Sequence, residues 1–203
     1  MERSVDQCVQ RTDALYEQIA RHLANVELDV SPRGRLVNSM STIAIEHGLA
    51  IRLLASAERF PSATALLRVQ FEAVVRAIWL HFAAPAASIV KFELRGSRPV
   101  LEEPADAPRI RAMLDAIDLG APPRVGRMLR DLKQDAWEPG MRPVICSNGG
   151  YSPDYALDML RNANGLTAMA AMLIALLSGD ERISTGMLKI QKDHLDCLPP
   201  LAA

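Results

Sequence analysis

The sequence predicts an all-α protein built as one antiparallel helical bundle. Two observations carry that expectation. Every segment with a readable hydrophobic period repeats at helical spacing. Aromatic residues make up only 4% of the chain while Ala and Leu are plentiful, and strands favour aromatic and β-branched residues. At 203 residues the chain is long enough for one well-buried domain, so 1–203 is read as a single domain of about seven or eight helices, with an irregular, Pro- and Gly-rich middle at 96–152.

Residues 4–26 form the first expected helix, with Val5, Cys8, Val9, Leu15, Ile19, Leu23 and Val26 at helical spacing. Ser31-Pro32-Arg33-Gly34 reads as a break, and a second helix runs from about 35 to 59. Pro61 or Ser62 opens a third helix to about Ala83. Ala84-Pro85 starts a shorter one to about Arg95. The segment GSRPVLEEPADAP, 96–108, is an acidic, Pro-rich connection. Short helices are expected over 109–118 and near 124–137. Residues 138–152 carry no helical signal. Ser152 as N-cap and Pro153 at N1 open a helix to about Ser178, and Gly179-Asp180 opens the last, which ends before Leu198-Pro199-Pro200. Short connections between the first three helices favour antiparallel neighbours.

The totals narrow the function classes. Net charge is −1, so a broad basic field for nonspecific nucleic-acid binding is absent, although a local patch stays open. Cys8, Cys146 and Cys197 lie far apart with no C-x-x-C spacing, which suggests neither a disulfide framework nor a zinc site and points to a reducing compartment, the cytoplasm. The most apolar run, LTAMAAMLIALL at 166–177, has 12 residues. A bilayer span needs about 20, so this run is expected to be the centre of a buried helix, with no membrane partner.

The third helix raises the main chemical question. Leu67, Phe71, Val74, Val75, Ile78 and Phe82 fill an arc of about 100°, with Leu66, Val69 and Leu80 on the other flank. Arg68, Glu72 and Arg76 sit between the flanks as an i, i+4 ladder. A stripe bordered by apolar residues is not a plain solvated face: if exposed, the ladder contributes only about tenths of a kcal/mol per pair, and if buried, the two arginines need more than Glu72 to balance them. Glu46 on the second helix is the candidate second acid. His47, about 100° away from it, faces the side of Leu36, Met40, Ile43 and Leu54, where a satisfied core histidine is the plain reading. Arg161 and Asn162 are embedded in the apolar helix at 153–178, and Gly165 beside them permits another helix to come close. Two such helices converging on one polar cavity would gather Glu46, His47, Arg68, Glu72, Arg161 and Asn162; the alternative is a hydrogen-bonded core network that fixes helix register. The loop Cys146-Ser147-Asn148-Gly149-Gly150-Tyr151 adds Asn148, on a backbone that can approach a ligand closely. No phosphate-loop pattern occurs. Adjacent Glu46-His47 does not match the Glu-x-x-His spacing of a carboxylate di-metal bundle, so no metal and no cofactor are expected.

The run EHGLAIRLLASAERFPSATALLRVQFEAVVRAIWL, followed downstream by a Gly-Gly loop and LRNANGLTAMAAMLI, resembles a family of uncharacterised bacterial helical proteins over roughly 40–178, with an R-x-x-F-E-A core at Arg68, Phe71, Glu72 and Ala73. That family is similar in turn to helical proteins of the HEPN type (higher eukaryotes and prokaryotes nucleotide-binding). The resemblance implies a HEPN-like bundle acting in a toxin–antitoxin or phage-defence system, as a ribonuclease or a catalytically degenerate relative. It also implies a homodimer, an antitoxin-like partner protein and RNA as substrate. The HEPN pattern, Arg then four to six residues then His, falls on Arg76 and His81. Arg76 would stabilise phosphate charge and His81 would move a proton. The two lie about 140° apart on a straight helix, so they meet only across a dimer interface or a distorted helix end. His81 shares its side with Gln70, which reads as the solvent-like edge. Where relatives would carry His-Gly-Gly this chain has Asn148, which is neither acid nor base at neutral pH. The competing reading is a non-enzymatic helical binding or regulatory module.

Overall fold

A computed structural model describes residues 4–96, 108–136 and 152–200. Among them there are eight helices and no strand: α1 (Val5–Leu23), α2 (Pro32–Ser56), α3 (Phe60–Phe82), α4 (Ala86–Gly96), α5 (Ile110–Gly120), α6 (Pro123–Ala136), α7 (Pro153–Leu177) and α8 (Glu181–Asp193). The all-α bundle expected from the periodicity is the observed architecture. Cys146 and Asn148 lie outside the described residues, as does most of the loop that contains them.

Helix starts follow the capping chemistry. Ser4 Oγ accepts from the Gln7 amide at 3.3 Å, Ser31 Oγ from Gly34 at 3.0 Å, and an Asp180 carboxylate oxygen from Arg182 at 2.8 Å. The break expected at 31–34 is instead the first turn of α2. Ser31 as N-cap and Pro32 at N1 are start signals, and Gly34 is the residue that lets the Asp29 backbone and carboxylate close over that turn. The last helix stops at Asp193, before Leu198-Pro199-Pro200 as expected. His194 caps it, and 194–198 continue as a turn.

Three helices make the centre. α2 and α3 are joined by residues 57–59 and pack along their length, and α7 lies against both. α1 and α8 cover α7, α5 and α6 cover α3, and α4 rests on α2. Phe71, Ile51, Leu160 and Leu166 are fully enclosed where the central three meet. α7 is long and apolar enough to cross a membrane by length and composition, yet 83% of its most apolar window is buried inside the fold. The expected buried core helix is what is found.

Gln70 does not lie on a solvent edge. It is fully buried, and its Nε2 donates to the Ala163 carbonyl and to Thr167 Oγ1, both at 3.0 Å. A helical wheel treats a polar residue as outward, but here a polar partner on α7 waits inside. Thr167 Oγ1 also shares a 3.0 Å hydrogen bond with Tyr16 Oη. Burial pushes the Tyr16 phenol above its ordinary pKa, so it stays protonated. α2 passes this cluster at Gly48, where a Cβ would lie 2.6 Å from Tyr16 Oη and 2.8 Å from Gln70 Nε2. A second network ties α1 to the chain's end: Asn164 Nδ2 donates to Thr12 Oγ1 at 2.8 Å and to the Cys197 carbonyl at 2.9 Å, and Thr12 Oγ1 donates to the Cys8 carbonyl. The core is therefore pinned by neutral hydrogen bonds, which cost far less to bury than charges.

Candidate functional site

The charge ladder of α3 forms as its spacing implies, but along one helix and partly in solvent. Arg68 Nε reaches Glu72 Oε1 at 3.3 Å and Arg76 Nη1 reaches Glu72 Oε2 at 3.2 Å. The Arg68 side chain is 59% exposed, and those of Glu72 and Arg76 are 21% and 22% exposed. The stripe thus falls between the exposed and the buried alternatives: it is half-buried and opens to water at Arg68. One of its flanks faces outward too, because Val69 is exposed.

The second acid and the second helix do not join it. Glu46 is exposed on α2, His47 is half-buried there, and neither hydrogen-bonds among the described residues. Arg161 pairs instead with Asp158 one turn earlier on α7, at 3.4 Å. α2, α3 and α7 do converge, but on Gln70, Thr167 and Tyr16 rather than on their charged groups.

His81 stands at the other end of α3. Its ring meets Phe82 edge-on with centroids 4.5 Å apart. Burial first, then the positive field of Arg33, holds its pKa below the ordinary histidine value, with Asp29 opposing. Arg33 itself caps α3, donating to the Leu80 carbonyl and, at 2.8 Å, to that of Ala84. Arg76 and His81 therefore have different surroundings: Glu72 for one, the start of α2 for the other.

A concavity lies elsewhere. A cleft of about 490 Å³ opens between α6, α7, α8 and the segment 195–200. Leu132, Gly165, Ala168, Met169, Leu195 and Leu198 line it, with Met128 and Leu188 also contributing. Asp131, Asp158, Arg161 and Lys192 bring charge to it, and buried Asn162 and half-buried Gln191 bring amides. Gln191 Nε2 donates to the Ala168 carbonyl at 3.4 Å. Gly165 permits a close approach as expected, but what approaches is the chain's end: a Cβ there would sit 2.7 Å from Pro199 Cγ. That end is clamped from α1. Arg11 donates to both carboxylate oxygens of Asp196, at 2.9 and 3.1 Å, and to the Asp193 carbonyl at 2.9 Å. Beside it, Cys197 is buried and its thiol pKa is pushed up to about 12, so it is inert. Among the described residues no three His, Cys, Asp or Glu side chains are grouped to hold a metal ion.

Of the residues marked in the sequence, Arg161 and Asn162 reach this cleft, while Glu46, His47, Arg68, Glu72, Arg76 and His81 do not line it. Leu132, Leu188, Lys192, Leu195 and Pro199 were not marked. Gly165 was the available signal, because a glycine inside an apolar helix costs about 1 kcal/mol relative to Ala unless something packs against it.

A model described as a family of unknown function, DUF6988, covers residues 41–200. No curated protein matches, and no solved structure matches.

Proposed function

The chain belongs to the DUF6988 family, a family of unknown function, and we propose that it is a non-enzymatic helical binding module that takes a small molecule into the cleft between α6, α7 and α8. The observation that carries this reading is the cleft itself. Its volume of about 490 Å³ falls within the range of roughly 300–1,000 Å³ typical of ligand sites. Its combination of an apolar lining with a few polar groups is the usual composition of such sites. The module works in a reducing compartment, the cytoplasm; what supports this is that Cys8 and Cys197 are free thiols buried in the core.

Titration with N-phenyl-1-naphthylamine, an uncharged fluorescent probe, tests the reading. Saturable binding is expected, weakened at least about fivefold by Leu188→Glu, which places a charge at the lip of the cleft. Leu188 is 59% exposed, so the variant leaves the core intact. A signal that never saturates, or one that Leu188→Glu leaves unchanged, would remove the cleft from consideration.

A second reading follows from His81. An imidazole held below its ordinary pKa is neutral at pH 7 and able to accept a proton. On the HEPN resemblance, two copies would bring Arg76 of one and His81 of the other to an RNA phosphate, in a toxin–antitoxin or phage-defence system with an antitoxin-like partner. Purified protein should then cleave RNA, and an Arg76→Ala/His81→Ala variant should not. Equal cleavage by both, or by neither, removes this reading.

A further inference from the structure

We infer that the ligand of the α6–α7–α8 cleft is an uncharged aliphatic molecule, an alkyl chain or saturated ring system with at most a small neutral head. The inference rests on the cleft being the binding site.

Three observations point to this class. First, the charges at the cleft cancel: Asp131 and Asp158 stand against Arg161 and Lys192. Arg161 already spends its charge on Asp158 at 3.4 Å. A charged ligand would lose hydration on entry and meet no net opposite field in return. Second, none of the described lining residues is aromatic. Nucleobases, whose edges are polar, are held chiefly by stacking on Phe, Tyr, Trp or His, and no such partner is among the described lining residues. Third, the apolar surface comes from branched aliphatic side chains, proline rings and the thioethers of Met128 and Met169. Methionine adapts its shape to what it contacts, which suits flexible alkyl chains of varied length.

Competition against the bound naphthylamine probe tests the assignment, using decanol, decanoate and decylamine on the full chain. The three share a tail and differ only in head charge. Decanol is expected to displace the probe at least about threefold more effectively than either ion, because only the ions carry a desolvation cost. Its affinity should change by less than about 1.5-fold between roughly 50 and 500 mM salt. An ion that competes about threefold better than decanol, with affinity that falls as salt rises, would overturn the uncharged class while leaving the cleft as the site. Displacement by none of the three, with the probe bound saturably, would overturn the aliphatic class. A probe that does not bind at all would overturn the cleft along with it.

Discussion

Gly48 shows how much one missing side chain positions in this fold. Alanine there would favour the helix by about 1 kcal/mol. Its Cβ would also press on Tyr16, Gln70 and Thr167, where the atoms it meets are buried and hydrogen-bonded to one another. Overpacking and the broken bonds together outweigh the propensity gain. Gly48→Ala is expected to lower stability by about 1–3 kcal/mol, read from the urea midpoint at constant slope. A neutral or stabilising result would mean that α2 can move away from α7 freely. At this scale the sequence was half legible. The Arg68–Glu72–Arg76 ladder could be read because its partners are four residues apart on one helix. Gln70 could not, because its partners are 93 and 97 residues away, and a wheel gives a direction without saying what lies in it.

At the scale of elements, every expected helix is present, and the discrepancies are at ends. Caps decide ends, and Ser-Pro reads equally as a loop or as an N-cap followed by N1. The end of α2 carries a second lesson. Glu58 adopts φ 55°, left-handed backbone that a side chain disfavours, so that the Arg59 amide can reach the Leu54 carbonyl at 2.7 Å. Glycine would relieve about 1–2 kcal/mol of backbone penalty and lose roughly 0.4–1 kcal/mol to the freer unfolded chain. Glu58→Gly is therefore expected to stabilise by about 0.5–1 kcal/mol, visible in calorimetry as a rise of about 1–4 °C. A lower melting temperature would show that Glu58 makes up its backbone cost by another route.

For the molecule as a whole, the cleft was the least legible feature. Three stretches separated in sequence build it, around 128–132, 158–169 and 188–200, and none of them marks a concavity by itself. Its outer wall depends on Arg11. That ion pair is partly exposed, 41% for Arg11 and 25% for Asp196, so its contribution is near 1 kcal/mol rather than several. Arg11→Ala should accordingly leave global stability almost unchanged while loosening the wall. Amide exchange over 194–200 is expected to rise about fivefold, the equivalent of about 1 kcal/mol of local opening. Unchanged exchange there would show that Asn164 and Pro199 hold the wall without help.

The networks that close this core have a consequence for synthesis. Tyr16 finds Thr167, and Thr12 finds Asn164, across 151 and 152 residues of chain. At ribosomal rates of roughly 5–20 residues per second, α1 emerges about 8–30 s before the helix that completes it. The α2–α3 hairpin, whose two helices follow one another in sequence, is free to form during that wait. α1 makes part of its contacts early, with α2 through Arg52 and Asp13, but the face that meets α7 and α8 stands uncovered until those helices have left the ribosome. Helix α1 is thus made before the α2–α3 hairpin yet fully secured after it, and the nascent chain is open to chaperone capture along the face of Cys8, Leu15 and Ile19.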